Sequence, residues 1–580
     1  MTDYSYRKLK KPARDRKIPW KAIIPAASTL LAIMIVIMIL VITRIHRTDQ
    51  KYIAAGPSGL EYYTFDETEQ RLIRASDTLP RGICVSETSQ TYYENGISYQ
   101  IIQYDGNSYY ILPGNLTSDP DKIVTETTIW VRTSATVYSN ADGFEISSYA
   151  PKGTALEVLG YDSLLEDGTV HKYNVAFTDD SGSDVSGWIY GKYISDDEEY
   201  ASAVNEEYYN IHKDRAYSGR ELYGGYAYNL EWDPVSKPSF EDNPICEYSS
   251  GMYISIKVLS EIDDYIDIAA ANGVNLFVVD IKDEMLAYPC EEIKELSPTS
   301  YYSAFYESEE FYADVIQKCK DAGIYVVGRI VVFRDEYYSY DHEEDCISSS
   351  SSSQLWPSAF SRDVWYYNIT LAETAVKKFG FNEIQFDYVR FPDESYNMSE
   401  SGDTDFRNYY NEDKAEAIQN FCYYACDCIH ELGAYVSVDV FGECVNKYVT
   451  AYGQYFPAIS NVVDAISAMP YTDHFDRNTD SWTDPYPTVY EWALKAAARQ
   501  SEIASPAVCR TWITAYDVPY WNVTKTCDAQ YIADEAQALA DAGLSGGFLT
   551  WNGASSISKY AEISSAFAKV YTKGIPRVTD

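Results

Sequence analysis

The most informative stretch of this chain is residues 381–392, which read FNEIQFDYVRFP. It follows Gly380, which ends a predicted helix, and its apolar run predicts a buried strand with Asp387 and Arg390 at the far end. The carboxyl end of a parallel strand is where α/β barrels hold their catalytic groups. A buried charge costs stability, so Asp387 has either a chemical role or a structural ion pair with Arg390.

A repeated pattern of helix, glycine and apolar run surrounds this stretch from residue 251 onward. Five predicted helices end at a glycine and pass directly into a strand, as αβ loops do. The glycines are Gly273, Gly323, Gly380, Gly433 and Gly543. The predicted strands are 252–258, 276–281, 325–333, 384–389, 435–441, 465–471, 508–515 and 547–551. Apolar runs of this kind are typical of strands buried on both faces. We therefore predict an α/β fold, a (β/α)₈ TIM barrel over residues 251–575, with a doubly wound open sheet as the alternative.

Composition limits the classes of function. The chain has 580 residues, enough for several domains, and a net charge of −41, which argues against nucleic-acid binding through a basic surface. Its 6 His residues form no paired motif, and its 11 Cys residues show no CxxC spacing. We therefore predict no cofactor and no metal ligands, and interpret Cys422, Cys426 and Cys428 as packing residues of one helix.

The amino-terminal segment predicts a membrane anchor. Residues 23–43 are almost wholly apolar and long enough to span a bilayer, whereas a secretory signal would have a shorter apolar core. Basic residues are concentrated in the tail, residues 1–22. Positive-inside bias therefore predicts a single-pass cell-membrane protein with a cytoplasmic N-terminus and extracellular C-terminal domains.

Short strands and turns predict a β-rich region between the anchor and the barrel. Residues 125–195 resemble a bacterial SH3-like domain in a KGT turn at 152–154 and in an ending that reads GWIYGKYI at 187–194. The resemblance implies binding to cell-wall peptides or glycans, or a spacer role. We assign this domain to residues 123–196. Residues 44–122 form a β-rich juxtamembrane region that is either a degenerate second copy or unrelated, and 197–250 a connector.

Acidic and aromatic side chains cluster at the predicted carboxyl ends of the barrel strands, where a barrel places its active site. The candidate catalytic residues are Asp387, Glu443, Asp280 and Asp439. The candidate substrate-binding residues are Arg329, Arg390, Tyr471, Asp473, Arg510, Trp512, Trp551 and Asn552. Several of them are equally consistent with purely structural roles. Asp280 is equally consistent with a salt bridge to Lys282, Tyr471 and Trp512 with core packing, and Trp551 and Asn552 with closure of the barrel.

Carboxylates beside aromatic rings match the chemistry of glycoside cleavage. One carboxyl protonates the leaving oxygen while the other acts as nucleophile, stabilises the cation or activates water, and aromatic faces stack on sugar rings. We predict the pair Asp387 and Glu443, with Asp387 kept ionised by Arg390 or Arg329 and Glu443 as general acid. Asp280 and Asp439 are the alternates.

Several motifs from residue 251 to about 560 resemble those of the putative glycosyl hydrolase barrel family. The matching pieces are GMYIS at 251, NLFVVDIKDE at 275, GRIVVFRD at 328, DVWYYNITLAETA at 363, EIQFDYVRFP at 383, VSVDVFG at 436, ISAMPY at 466 and LTWN at 549. The resemblance implies a barrel of glycosidase type. This chain departs from the family pattern in two places. The sixth strand reads SAMPYTDHF at 467–475, and at the seventh strand the family usually carries Gln where this chain has Thr514.

Together these observations predict a membrane-anchored extracellular glycoside hydrolase acting on a cell-wall, peptidoglycan-type or exopolysaccharide glycan. The alternatives are a non-catalytic glycan-binding surface protein and a structural envelope protein whose acids are paired ions.

Overall fold

The structure is a computed structural model that describes residues 50–179, 181–213, 215, 223–350, 355–475, 483–520 and 523–577. The predicted basic tail and membrane helix, residues 1–22 and 23–43, lie outside this range. No helix in the described part of the chain combines the length and apolar character that a bilayer crossing requires.

The chain divides into two compact units, of which the first contains the described residues up to 127 together with 163–171. Its strands are β1 (Gln50–Ile53), β2 (Leu60–Asp66), β3 (Arg71–Leu79), β4 (Cys84–Glu94), β5 (Ile97–Tyr104), β6 (Asn107–Ile111) and β7 (Leu116–Thr117). They form one antiparallel sheet in the order β3-β2-β6-β5-β4-β1-β7. Its core contains Ile53, Val85, Ile102 and Ile111.

The second unit begins with another seven-stranded antiparallel sheet, here called the second sheet. Its strands are β8 (Thr128–Val131), β9 (Ala135–Tyr138), β10 (Ile146–Ala150), β11 (Ala155–Tyr161), β12 (Lys172–Thr178), β13 (Asp184–Tyr190) and β14 (Ile194–Ser195). The order is β10-β9-β13-β12-β11-β8-β14. Within this unit, the hydroxyl groups of Tyr138 and Tyr193 donate to Asp427 at 3.3 and 2.6 Å, and Lys192 Nζ pairs with Asp427 at 2.6 Å. The second sheet therefore packs on the barrel helix that carries Asp427.

Parallel strands form a nearly closed barrel in the rest of this unit. They are β15 (Ser249–Ile254), β16 (Leu276–Lys282), β17 (Tyr325–Val331), β18 (Glu383–Asp387), β19 (Tyr435–Phe441), β20 (Ala465–Met469), β21 (Val508–Cys509), β22 (Thr511–Thr514) and, after a small hairpin of β23 (Val518–Tyr520) and β24 (Val523–Lys525), β25 (Gly547–Trp551). The order is β21-β20-β19-β18-β17-β16-β15-β25-β22. Because β21 and β22 are one strand interrupted at Arg510, the two ends of this order meet and give the eight positions of a TIM-like barrel.

Helices alternate with these strands. The α-helices of the second unit are α1 (Glu198–Ser202), α2 (Glu206–His212), α3 (Ile262–Asn272), α4 (Pro298–Tyr302), α5 (Glu309–Asp321), α6 (Glu336–Asp341), α7 (Arg362–Phe379), α8 (Ser395–Ser401), α9 (Lys414–His430), α10 (Phe456–Val462), α11 (Tyr486–Gln500), α12 (Ala529–Ala542) and α13 (Ile557–Ile563). Gly380 ends α7 at φ 66°, a left-handed conformation that turns the chain directly into β18. This turn sets the direction in which β18 presents Asp387.

The predicted connector is more ordered than its composition indicated. In its described residues, α1 and α2 form, and Leu230 and Trp232 join a buried cluster with Tyr455 and Ile503 of the barrel. The sequence lacked periodicity there because these residues pack individually rather than along one face of an element.

Candidate active site

A cavity of about 320 Å³ opens at the carboxyl ends of the barrel strands. It brings together seven of the residues predicted from the sequence: Asp387, Asp439, Arg329, Arg390, Tyr471, Trp512 and Trp551. Arg329, Asp439 and Trp512 lie within their strands, and the other four lie at or just beyond a strand end, so the register of the parallel sheet brings them to one side of the barrel. The cavity is lined by both acids and aromatic rings, which is the combination expected for a sugar site.

Arg329 on β17 holds two of the predicted acids. Its Nε and Nη2 atoms donate to Oδ2 of Asp387 at 3.1 and 2.8 Å, and Nη1 donates to Oδ1 of Asp280 at 2.6 Å. Burial works against the charged guanidinium, but the two carboxylates more than offset it and hold the pKa of Arg329 well above its usual value. Arg329 therefore remains a cation that fixes Asp387 in one orientation.

Asp439 is the second acid in the cavity of Asp387. It lies on β19, is 2% exposed, and accepts a hydrogen bond from Trp512 Nε1 at 2.7 Å. Burial, followed by the negative charge of Asp387, raises the pKa of Asp439 well above its usual range, and the bond from Trp512 only partly opposes this. The environment therefore favours a proton on Asp439, and Asp387 lies in an ion pair with Arg329.

Tyr388 adopts a strained backbone conformation directly after Asp387. Its φ is 53°, in the left-handed region that an aromatic residue rarely occupies. In this conformation its backbone N–H donates to Oδ1 of Asp387 at 2.6 Å, and its hydroxyl accepts from Arg334 at 2.8 Å. The strained turn thus leaves both carboxylate oxygens of Asp387 hydrogen-bonded.

Glu443 lies in a neighbouring cavity of about 580 Å³ and not in that of Asp387. It accepts hydrogen bonds from the hydroxyls of Tyr448 at 2.8 Å and Tyr452 at 3.1 Å. Residues 442–445 form a 3₁₀ turn, so the alternation of the strand cannot be extended past Phe441 to predict where Glu443 points. The structure therefore brings Asp387 together with Asp439, which the sequence reasoning held as an alternate.

The two cavities are adjacent. They share Phe441, Met469, Tyr471 and His474 in their walls. Trp492 and Lys495 of α11 contribute to the second cavity. A substrate longer than one sugar ring could therefore contact both.

Four predicted residues do not line either cavity. Asp280 lies behind Arg329 and is fully buried, and burial raises its pKa to about 6 against the opposing effect of Arg329. Asp473 accepts from the hydroxyl of Tyr516 at 2.8 Å. Asn552 donates to the backbone carbonyl of Ala515 at 2.9 Å, which closes the barrel at the end of β25.

Arg510 is the fourth. Its Nη1 donates to both carboxylate oxygens of Glu383 at 2.7 Å, and its Nη2 donates to the Cys246 carbonyl at 2.7 Å. Glu383 is the first residue of β18, so this pair lies at the amino end of the barrel, away from the cavity. Arg510 interrupts its own strand, and the sequence did not reveal that break.

Sequence reasoning missed several cavity residues. They are Tyr253, Asp283, Glu284, Val331, Arg334, Tyr388, Phe441, Met469, His474 and Gly553. Asp283 and Glu284 directly follow β16 and line the cavity. Their position after a strand was the available signal, because every strand end of a barrel faces the same side.

One group of side chains within reach of a shared metal ion occurs in the described part of the chain, formed by Cys426, His430 and Asp464. None of the three lines the cavity of Asp387. The cavity itself offers carboxylates, three guanidinium groups and aromatic faces, a set suited to acid–base chemistry on a sugar.

Comparisons with known proteins agree with this location. A family model described as "Putative glycosyl hydrolase domain" matches residues 251–557, which is more than half of the chain. Curated proteins give no significant match. The matched region coincides with the barrel and contains the cavity.

Several solved structures resemble parts of the chain. A hypothetical protein from Ruminiclostridium thermocellum is 28% identical over 33% of this chain and 97% of its own, with a TM-score of 0.27. The PgaB (BpsB) glycoside hydrolase domain from Bordetella bronchiseptica is 12% identical over 56% and 99%, with a TM-score of 0.40. A β-N-acetylhexosaminidase from Bacteroides fragilis is 12% identical over 57% and 67%, with a TM-score of 0.38.

Proposed function

Because the chain belongs to the putative glycosyl hydrolase domain family, we propose that it is a membrane-anchored extracellular glycoside hydrolase that cleaves a cell-wall or exopolysaccharide glycan. The observation that carries the catalytic part of this proposal is the presence of Asp387 and Asp439 in one cavity with opposite electrostatic surroundings. Glycosidic cleavage uses one carboxyl group that donates a proton together with a second carboxylate.

Asp439 is the general acid in this proposal. Its raised pKa favours the protonated form, and that proton passes to the glycosidic oxygen as the C–O bond breaks. Trp512 Nε1 remains bonded to Oδ1 and stabilises the carboxylate that results. A water molecule then supplies the hydroxyl group of the new reducing end, and the proton that it releases returns to the Asp439 carboxylate.

Asp387 meets the positive charge that develops on the sugar ring. Its carboxylate acts either as nucleophile or as charge stabiliser, and Arg329 fixes its position through two hydrogen bonds. The rings of Tyr471, Trp512 and Trp551 in the same cavity supply faces on which the sugar stacks. Arg329 also lies over the ring of Trp551, with its guanidinium carbon 5.4 Å from the ring centroid.

Glu443 binds a neighbouring sugar unit in this proposal. Its carboxylate, the two tyrosines that donate to it and Trp492 offer hydrogen bonds and a ring face in the second cavity. The substrate would then be an oligosaccharide or polymer that spans both cavities.

A non-catalytic glycan-binding protein is the second candidate function. It is favoured by one observation, that the carboxylate of Asp387 is already bound by Arg329 and by the backbone of Tyr388. A paired acid of this kind also occurs in purely structural networks.

Anchoring would hold the barrel at the cell surface, through residues 23–43 in the membrane and an extracellular location for everything beyond them. The contacts of Tyr138, Tyr193 and Lys192 with Asp427 support a bracing role for the second sheet within its unit. A wall-binding role for the same sheet would use its other surfaces.

The deciding experiment measures release of reducing sugar from a panel of wall, capsule and exopolysaccharide glycans. Wild type is compared with Asp387→Asn and Asp439→Asn, and with Asp263→Asn as control, since Asp263 is an exposed acid on α3. We expect losses of at least about 10³-fold for the two cavity variants and no change for the control. Glycan binding without cleavage by wild type, retained in the variants, would favour the second candidate instead.

A further inference from the structure

Three side chains with metal-binding atoms meet at the amino end of the barrel. They are Cys426, His430 and Asp464, and one candidate ligand atom from each lies within 4.8 Å of the other two. Cys426 and His430 are four residues apart on α9, so the same face of that helix presents both. Asp464 lies in the short turn between α10 and β20. Two separate segments of the chain thus converge on one point.

Asp464 has an unused carboxylate oxygen at this point. Its Oδ2 is 2.7 Å from His430 Nε2 and accepts the backbone N–H of Val436 at 2.8 Å. Its Oδ1 is buried and has no hydrogen-bond partner among the described residues. A buried carboxylate oxygen without a partner is costly, and this carboxylate is grouped with a thiol and an imidazole, so Asp464 is suited to bind a cation.

We propose that Cys426, His430 and Asp464 bind a zinc ion, with water as the fourth ligand. Thiolate sulfur, imidazole nitrogen and carboxylate oxygen are the three ligand types that zinc uses, at about 2.0–2.3 Å. Tetrahedral ligands at those lengths lie roughly 3.5 Å apart, so adjustments of about 1 Å from the present positions suffice. On binding, the thiol of Cys426 loses its proton to solvent and His430 binds through the nitrogen that now faces Asp464.

The surroundings allow an ion to enter and remain. The His430 side chain is 18% exposed, which leaves a route from solvent, while Asp464 is almost fully enclosed. Lys237 is half-buried nearby, but its Nζ donates to the backbone carbonyls of Ser460 and Asn461 at 3.3 and 2.8 Å. The carboxylate of Asp464 is therefore not bound by that ammonium group.

The site is structural in this proposal and independent of the proposed glycosidase activity. Val436, which contacts Asp464, is near the start of β19, whereas Asp439 and Phe441 lie toward the opposite end of that strand and line the catalytic cavity. The ion would tie the carboxyl end of α9 to the turn before β20. It would thereby stabilise the amino end of two barrel strands.

Cobalt titration of the untagged protein tests the site directly. After removal of metals by a chelator, Co²⁺ is added and the thiolate-to-cobalt charge-transfer absorption is recorded, with zinc content measured by mass spectrometry. We expect one ion per chain in wild type and in Cys428→Ala, a control two residues away on the same helix that also removes a buried thiol. Cys426→Ala and His430→Gln should bind at least tenfold more weakly.

Thermal unfolding provides a second readout that does not depend on the variants. Zinc at 100 times its Kd should raise the melting temperature of wild type, because binding to the folded state alone adds about 2.7 kcal/mol. The proposal is overturned if wild type shows neither the absorption band nor the shift, or if Cys426→Ala takes up the same metal with the same affinity. Glycan cleavage is not used in either readout, so its presence or absence does not affect the result.

Discussion

Arg329 donates two hydrogen bonds to a single oxygen of Asp387, from Nε at 3.1 Å and from Nη2 at 2.8 Å, while its remaining terminal nitrogen binds Asp280. All three side chains are buried. One guanidinium therefore compensates two carboxylates that would otherwise be charged and unpaired in the barrel interior.

Replacement of Arg329 should destabilise the protein as well as inactivate it. Arg329→Met leaves Asp280 and Asp387 without their cation, and removal of one partner from a buried ion pair costs about 3–5 kcal/mol. Arg329→Lys keeps the positive charge but loses the planar guanidinium that donates to both carboxylates. We therefore expect an intermediate loss of stability. The free energy of unfolding in urea measures this, with Lys318→Met as an exposed control. An Arg329→Met protein within about 1 kcal/mol of wild type would contradict the role given to this ion pair.

Asp439 should control the basic limb of the pH profile. Its raised pKa means that the proton needed for catalysis is present at lower pH and is lost as the pH rises through that pKa. Asp439→Asn should remove this limb from the profile of kcat/KM. It should also impair cleavage of the natural glycan more than that of an aryl glycoside of the same sugar, because a good leaving group needs little protonation.

Asp387→Asn is the matched comparison for this prediction. It should impair both substrates about equally, since stabilisation of the sugar cation is needed whatever the leaving group. If Asp439→Asn slowed the two substrates by the same factor, Asp439 would not be the general acid.

His212 should make the protein sensitive to acid. It is buried against Trp232, with ring centroids 3.7 Å apart, and burial lowers its pKa from 6.5 to about 3, assisted by the charges of Arg215 and Arg499. Between pH 6.5 and about 3, His212 is therefore protonated in the unfolded chain but neutral in the folded protein. The stability present above pH 6.5 is lost as the pH falls from 6.5 toward 3.

Unfolding in urea at pH 6.5 and 4.5 measures the loss. The shift in the pKa of His212 predicts about 2–3 kcal/mol over that interval. His212→Gln should reduce this dependence. Equal pH dependence in wild type and His212→Gln would show that His212 is not responsible.

Asp427 should couple the second sheet to the barrel. It accepts from Tyr138 and Tyr193 and pairs with Lys192, all within the second unit. Asp427→Asn removes the charge from these bonds and should cost about 1–3 kcal/mol. Calorimetry should then show that the thermal unfolding transition of this unit broadens or splits. The control Asp321→Asn, on the exposed end of α5, should leave a single transition. An unchanged transition in Asp427→Asn would argue that the sheet is held by its apolar contacts instead.

The barrel could be predicted from sequence because its signals are local. A glycine after five of the helices and a doubly buried apolar run after each of those glycines indicate the order of elements, and the pattern then places Asp387, Asp439 and Arg329 on neighbouring strands. Glu443 could not be placed, because the chain leaves the strand after Phe441 and turns as a 3₁₀ helix. The ion pair of Arg510 with Glu383 could not be predicted either, because the two residues are far apart in sequence and no local pattern indicates their contact.

Substitutions of Tyr388 should reveal the backbone strain beside Asp387. Its φ of 53° is open to glycine at no cost but is unfavourable for any other residue. Both Tyr388→Gly and Tyr388→Ala remove the tyrosine ring, so they differ mainly in backbone strain. The glycine variant should therefore be more stable than the alanine variant by about 1 kcal/mol. Both variants should weaken glycan binding, because the Tyr388 ring lines the cavity. Urea unfolding of the pair measures the strain, and an alanine variant as stable as the glycine variant would mean that the left-handed turn is not maintained in solution.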